Sequence, residues 1–162
     1  LAEVLGAGLD APQRDALWTF AQSRDGGPAA FLAGFSHPRL GPALRAIHRE
    51  PASALLASRL ARLSGLSRTL FFARFLDETG ETPSSYVSRW RVHLAASFLR
   101  LQDERLDLLA VRVGLFDGSA LTKAFRRNTG LNPGAYRRLH RRLVGRSSAA
   151  SVLPPGALSA SP

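Results

Sequence analysis

The sequence predicts an all-α protein in which two similar pairs of short helices are joined by a long central helix. One pattern, Leu-Ala-(x)3-Gly-Leu, occurs at residues 60–66 and again at 109–115. Another, Phe-(x)3-Thr-Gly-(x)2-Pro-(x)2-Tyr, occurs at 75–86 and again at 125–136. Each copy predicts a helix, a glycine-containing turn and a second helix closed by glycine, which is the layout of a helix-turn-helix. Two copies favour paired units over a solenoid, because stacked repeats normally need more than two.

The first unit, at about residues 53–80, follows a predicted helix over 42–50 that Pro51 ends. Apolar residues at 56, 60 and 63 predict that the unit opens with a helix over 53–63. Ser67 is a typical N-cap for the unit's second helix, which we expect to run to Thr79 and to end at Gly80.

The central helix has the clearest start, because Thr82 is a typical N-cap and Pro83 suits the first helical position. The apolar residues that recur every four positions along it are Tyr86, Trp90, Leu94 and Phe98. We interpret this stripe as core. A helix that continues to about Leu101 has a length of about 28 Å, which is close to the ~34 Å repeat of B-DNA.

The second unit, at about residues 106–130, predicts helices over 106–113 and 118–129 with a turn at 114–117. Asn132 and Pro133 begin a last helix that we expect to reach about Leu143. Residues 147–162 are mostly Ser, Ala, Pro and Gly, which predicts a disordered tail.

Residues 1–38 form a separate segment with a net charge of −2. A helix over 15–23 is the only clear element in it, and Gly26-Gly27-Pro28 interrupts the chain after it. The segment is too short to bury a core of its own. It is therefore either the end of a larger domain or an arm that packs on the helices after residue 38.

Positive charge is concentrated in the part of the chain that carries the repeat. The formal net charge is +10, and residues 39–146 hold 20 Arg and Lys against eight Asp and Glu. A basic region suits a polyanion, because neutralised phosphates release their counterions. The alternative is a solvated arginine-rich surface, since Lys123 is the only lysine. The coincidence of charge and repeat favours double-stranded DNA as the partner.

Other classes of function lack the residues they need. The chain has no Cys, which excludes disulfides, thiolate metal sites and cysteine nucleophiles. Its four His have no ligand spacing, and no nucleophile motif or phosphate-binding loop is present. We therefore expect no catalytic residue, no metal and no cofactor. No apolar run approaches the roughly 20 residues that cross a bilayer, and no secretion signal opens the chain, so we expect a cytoplasmic protein without membrane contact.

In a helix-turn-helix the second helix enters the major groove of DNA. In the first unit Phe71 and Phe75 are expected to point inward. The outward residues near the groove are then Arg68, Thr69, Phe72 and Ala73. Thr69 can hydrogen-bond a base edge, and Phe72 can contact a thymine methyl. Packing on the preceding helix is an equally good interpretation of Phe72.

In the second unit Leu121 and Phe125 are the expected inward pair. The outward residues are Ser119, Thr122 and Lys123, with Arg126 and Arg127 one turn later, where phosphates lie. Lys123 is the best candidate for reading a base such as guanine, although a phosphate contact is almost as well supported. Three other arginines are candidates for phosphate or structural contacts: Arg89, Arg137 and Arg138. Arg91, at the margin of the apolar stripe, favours an internal salt bridge.

Many separated positions between residues 39 and 142 also resemble one known family. The motifs are Gly80-Glu81-Thr82-Pro83-(x)2-Tyr86-(x)3-Trp90-Arg91, Ala110-(x)2-Val113-Gly114 and Ser119-(x)5-Phe125-Arg126-Arg127-(x)2-Gly130-(x)2-Pro133-(x)2-Tyr136-Arg137. They resemble the DNA-binding domain of AraC/XylS-type transcription regulators. The resemblance implies a homeodomain-like domain of seven helices that binds promoter DNA, with RNA polymerase as a further candidate partner.

Many members of this family carry an N-terminal cupin-like domain that binds a small effector. Residues 37–40 and 47–48 look like the junction that follows this domain in one branch, so residues 1–36 would be a remnant of the sensor. Such a remnant cannot enclose a pocket of a few hundred Å³. We therefore expect no small-molecule effector for this chain and expect residues 1–36 to be dispensable for DNA binding.

The sequence also departs from the family pattern. Ala73 and Leu76 stand where members often carry basic residues, and Leu121 stands where an aromatic residue is common. The first unit is therefore expected to read DNA weakly, and the second to carry more of the specificity. An alternative function is a degenerate helix-turn-helix module that acts through protein–protein contacts with little specific DNA binding.

Overall fold

Nine helices run through residues 9–24 and 27–150, the parts of the chain that the computed structural model describes, with side chains described as far as residue 143. They are α1 (Ala11–Gln22), α2 (Gly27–Ser36), α3 (Gly41–Arg49), α4 (Ala57–Leu63), α5 (Arg68–Thr79), α6 (Pro83–Leu101), α7 (Leu106–Arg112), α8 (Gly118–Thr129) and α9 (Pro133–Ala150). The predicted all-α class is confirmed. Seven of the helices, α3–α9, lie in the predicted domain, and two more precede it.

Local capping signals set the limits of α5 and α6 where the sequence predicts them. The Ser67 hydroxyl accepts a hydrogen bond from the Leu70 amide at 3.3 Å, and the Thr82 hydroxyl accepts one from the Ser85 amide at 3.2 Å. Gly80 ends α5 in the left-handed conformation with φ +73°, which a residue without Cβ adopts at little cost. Both boundaries therefore follow from residues close in sequence.

The start of the first unit differs from the prediction, because α4 begins at Ala57 and not at residue 53. The carbonyls of Pro51 and Ser53 accept hydrogen bonds from the Arg91 side chain at 3.0 and 3.2 Å. Residues 51–56 therefore form a turn and an extended stretch held to α6. The predicted salt bridge of Arg91 is corrected by the same contacts, since this guanidinium binds backbone carbonyls.

Both ends of the described chain are more helical than predicted. α1 begins at Ala11 and not at residue 15, because a capping box closes its first turn. The Asp10 carboxylate accepts a hydrogen bond from the Gln13 backbone amide at 2.8 Å, and the Gln13 side-chain oxygen accepts one from the Asp10 backbone amide at 2.8 Å. At the other end α9 continues past residue 143 to Ala150. Residues 147–150 of the predicted tail are thus helical, and residues 151–162 lie outside the described residues.

One continuous core surrounds α6, as the apolar stripe predicts. Tyr86, Trp90, Leu94 and Phe98 are each at most 2% exposed. The same cluster includes the inward residues of both units, which are Leu60, Phe71, Phe75, Leu109, Leu121 and Phe125. The predicted inward pairs of α5 and α8 are therefore confirmed.

The two N-terminal helices belong to this core. Phe20 of α1 is fully buried, and its ring centroid lies 5.2 Å from that of Tyr86 and 5.6 Å from that of Trp90. Phe31 and Phe35 of α2 pack around the buried imidazole of His48, with ring centroids 5.4 and 5.3 Å away. The described helices α1 and α2 therefore pack on the helices after residue 38, as the interpretation of the segment as a packing arm expects. The dispensability of residues 1–36 for DNA binding stays a prediction.

Candidate nucleic-acid interface

The outward face of α5 carries the four residues that the sequence singles out in the first unit. Arg68, Thr69, Phe72 and Ala73 are all exposed, whereas Phe71 and Phe75 on the opposite face are fully buried. Phe72 keeps 45% of its surface in solvent. Nearly half of this residue is therefore open to a partner, whichever of its two interpretations applies.

The corresponding face of α8 is more polar. Ser119, Lys123, Arg126 and Arg127 are exposed, and Thr122 is half-buried. The Thr122 hydroxyl donates to the carbonyl of Gly118 at 2.7 Å, so it can only accept a hydrogen bond from a base. Of Thr122 and Lys123, Lys123 is therefore the residue that can donate a hydrogen bond to a base.

Two carboxylates hold the first turn of α8. The Asp117 carboxylate caps the helix by accepting from the Ala120 amide at 2.7 Å, and the Asp107 carboxylate of α7 accepts from the Gly118 amide at 3.1 Å. These contacts fix the angle between α7 and α8 and satisfy amides that a phosphate would otherwise bind. Anion binding on this helix is thereby left to the basic side chains further along it.

Some of the other candidate arginines are structural. Arg89 pairs with Glu81, and its guanidinium carbon lies 4.8 Å from the centroid of the Phe20 ring. Arg137 donates to the Asp103 carboxylate at 3.1 Å and to the Glu104 carbonyl at 2.6 Å. Their contacts hold α6 and α9 in place. Arg138 is exposed, and a phosphate contact for it remains a prediction.

Two exposed groups next to the predicted faces escape sequence reasoning. Phe116, in the turn before α8, is 90% exposed. Arg74 of α5 and Arg39 line an open groove of about 300 Å³ beside the turn of the first unit, together with His37, Leu66 and Leu70. The signal for Phe116 is a large apolar residue in a turn, where it has little to pack against. The signal for Arg74 is that it directly follows Ala73, the position at which family members often carry a basic residue.

The remaining titratable groups of the described residues are scattered or buried. No three His, Asp or Glu side chains with described placement lie close enough together to hold a metal ion. Burial lowers the pKa of His48 to about 3 and that of His93 to about 4, helped by nearby arginines. Along the described residues, no helix is long and apolar enough to cross a membrane.

Comparison with known proteins assigns the chain to a family. A family profile described as a helix-turn-helix domain matches residues 60–139, from α4 to α9. An AraC-like transcription regulator of Streptomyces antibioticus is 39% identical over 110 residues, which is 68% of this chain and 36% of the relative. The chain belongs to the AraC/XylS family through this domain.

Two further comparisons agree. The regulator AlkR of Acinetobacter baylyi is 32% identical over 110 residues, again 68% of this chain and 36% of the relative. The DNA-binding domain of AdpA, a global transcriptional factor solved in complex with a target DNA, superposes with a TM-score of 0.63 at 29% identity. That match covers 67% of this chain and 97% of the AdpA domain. The chain thus spans little more than a third of the length of these sequence relatives.

Proposed function

We propose that the two helix-turn-helix units bind double-stranded DNA in a sequence-specific way and regulate transcription from bacterial promoters. The observation that carries this proposal is the position of the two second helices along α6. α5 packs near the start of α6, where the rings of Phe75 and Tyr86 lie 5.3 Å apart. The end of α8 borders the later part of α6, beside His93 and Arg100.

The length of α6, the helix that joins the two units, suits duplex DNA. α6 has 19 residues, which corresponds to about 28 Å at about 1.5 Å per residue. Successive major grooves on one face of B-DNA are about 34 Å apart. The arrangement therefore allows α5 and α8 to enter successive grooves of one duplex.

The two faces have different roles in this proposal. On α8, Lys123 reads a base edge with help from Thr122 and Ser119, and Arg126 and Arg127 bind phosphates. On α5, Thr69 and Arg68 supply polar contacts, whereas Ala73 and Phe72 offer only apolar contact to a thymine methyl. The second unit therefore supplies most of the base discrimination.

The AraC/XylS relatives support this function, because they are named as transcription regulators and the AdpA domain was solved on its target DNA. A regulator of promoters acts where bacterial DNA lies, so the proposed function includes a cytoplasmic location. RNA polymerase is its candidate protein partner, since activation and repression both act on the initiation of transcription.

A second function is favoured by the apolar character of α5. Leu70, Phe72 and Leu76 expose 47, 45 and 43% of their surfaces on this helix, which is unusual for a helix that contacts only DNA. In this alternative α5 binds another protein, and α8 alone contacts DNA or neither unit does.

Selection of bound sequences from a pool of random duplexes tests both functions with the full chain. The proposed function predicts enrichment of a bipartite motif whose two parts lie about one helical turn apart, or about 10 base pairs. Enrichment of a single short motif would favour protein binding by α5. Absence of any enriched motif would contradict sequence-specific binding altogether. Lys123→Ala is the control variant, since it should alter only the half of the motif under α8.

A further inference from the structure

The N-terminal helix α1 touches the structural supports of both second helices. We propose that α1 is a positioning element that fixes the spacing and angle between α5 and α8. The inference rests on the proposed function in one respect only: the spacing it fixes is the spacing of two DNA half-sites.

One end of α1 is attached to the first unit. Arg24, just after the end of α1, donates to the carbonyl of Thr79, the last residue of α5, and pairs with the carboxylate of Glu81. The side chains of Arg24 and Glu81 are only 13 and 16% exposed. An ion pair shielded in this way loses little to solvent screening, so it holds the end of α5 more firmly than a surface pair would.

The other end of α1 is linked to the second unit indirectly, through α6 and α9. The Asp15 carboxylate accepts hydrogen bonds from Ser97 and Arg100 of α6, and Arg100 also donates to the hydroxyl of Tyr136 on α9. The Tyr136 ring then packs on Phe125 of α8, with ring centroids 5.3 Å apart. A chain of direct contacts thus leads from α1 to the inward face of the second reading helix.

Asp15 and Arg24 are nine residues apart, which is about 13 Å along a helix. Between them Phe20 packs against Tyr86 and Trp90 of α6, so α1 lies along α6 and is held at its two ends and its middle. α6 alone joins the units covalently, through a turn at residues 80–82 and a connection at 102–105. The contacts of α1 brace α6 along its length and reach the first unit through Arg24 and the second through Arg100 and Tyr136, so the braced helix resists bending more than α6 alone would.

If α1 served only to enlarge the core, substitutions that remove its polar contacts at Asp15 and Arg24 would have a different effect. They would lower the free energy of unfolding but leave the geometry of the two units unchanged in the molecules that remain folded. The proposed role changes that geometry in the folded state. The distribution of distances between α5 and α8 separates the two roles.

Spin labels can be placed at chosen sites, because the chain has no natural Cys. In a chain carrying Asp77→Cys on α5 and Arg127→Cys on α8, both at exposed positions, we expect one narrow distribution of label distances. Arg24→Gln and Asp15→Asn should each broaden it, whereas Arg14→Gln, on the exposed side of α1, should not. Ser97→Ala, which removes a single hydrogen bond to Asp15, is the milder variant if Asp15→Asn does not fold. Unchanged distributions in folded Arg24→Gln and in the folded variant at the Asp15 end would overturn the proposal.

A second measurement uses DNA. Inserting one base pair between the two half-sites rotates them by about 34° relative to each other, so the parent chain should lose at least about tenfold in affinity. In Arg24→Gln this penalty should fall to about threefold or less, because a looser pair of units tolerates the new spacing. An equal penalty in the parent and the variant would overturn the proposal. If the parent binds no bipartite site, the proposed function fails, and the label distances still decide the role of α1.

Discussion

The imidazole Nε2 of His48 lies 2.9 Å from the hydroxyl oxygen of Tyr86, and both side chains are enclosed in the core. His48 belongs to α3, whereas Tyr86 belongs to the first turns of α6. The rings of Phe20, Phe31 and Phe35 surround the imidazole. This hydrogen bond therefore ties the helix before the first unit to the central helix inside an aromatic cluster.

The first prediction concerns the stability of this cluster at acid pH. Burial, and secondarily the charge of Arg24, lower the pKa of His48 to about 3. An unfolded His titrates near 6.5, so the unfolded state binds more protons between pH 6.5 and about 3. The contribution of neutral His48 to the free energy of unfolding should be fully present above pH 6.5. Below that pH the free energy of unfolding should decrease by up to about 1.4 kcal/mol per pH unit because of this residue.

Urea unfolding at a series of pH values measures the effect. The variant His48→Gln should show a smaller slope of unfolding free energy against pH between about 4 and 6. His93, whose pKa burial lowers to about 4, leaves a residual slope in the variant. Equal slopes for parent and variant would show that His48 is not held neutral in the folded protein.

The second prediction compares equivalent glycines in the two units. Gly65 and Gly114 both have positive φ, +61° and +87°. A Cβ on Gly114 would meet the Pro51 carbonyl oxygen at 2.1 Å, whereas a Cβ on Gly65 would meet only the end of the Arg39 side chain at 3.3 Å. Gly65→Ala should cost about 1 kcal/mol from backbone strain, and Gly114→Ala should cost well over 2 kcal/mol because the backbone must also move. Thermal unfolding of the two variants provides the comparison, and equal losses would show that the turn of the second unit does not press on residues 51–52.

The third prediction concerns the contribution of α1 to stability. Phe20 and Trp18 are large aromatic residues on the same helix, but Phe20 is fully buried and Trp18 is 53% exposed. Phe20→Ala should lower the free energy of unfolding by about 3–5 kcal/mol, and the matched Trp18→Ala by less than about 1 kcal/mol. Chemical denaturation monitored by circular dichroism measures both. A small loss for Phe20→Ala would show that α1 contributes little to the stability of the core around α6.

Sequence reasoning succeeded where the cause lies within a few residues of its effect. Ser67, Gly80 and Thr82 mark helix ends through their own hydrogen bonds or backbone conformation, and the stripe along α6 is regular enough to identify the core. The start of α4 was misplaced because the group that holds residues 51–53 away from a helix is Arg91, about 40 residues later. The contacts that hold α1 could not be predicted for the same reason, since Asp15 meets Arg100 only in the folded chain.

For the candidate DNA-binding faces, the sequence predicts which residues point outward but not the details of their contacts. Periodicity identifies the outward residues of α5 and α8, because one buried pair fixes the orientation of the whole helix. Periodicity does not reveal that the Thr122 hydroxyl is bound to the Gly118 carbonyl, nor that Phe116 projects from the turn. These details depend on side-chain rotamers and on the path of a short turn.

The fourth prediction separates base reading from phosphate binding on α8. Lys123→Ala should reduce the preference for the selected base under the second unit by about 1–3 kcal/mol. Arg126→Ala should weaken all duplexes about equally, because phosphates are the same in every sequence. Competition binding at one fixed salt concentration, with duplexes changed at single positions, measures both. Uniform weakening by Lys123→Ala would show that this residue contacts a phosphate.

The central claim is that one chain places two reading helices in successive major grooves. Hydroxyl-radical footprinting of the full chain on its selected duplex tests this claim most directly. The arrangement of α5 and α8 along α6 predicts two protected windows on one face of the DNA, centred about one helical turn apart, or about 10 base pairs. Protection confined to a single window under the second unit, or no protection at saturating protein, would contradict it.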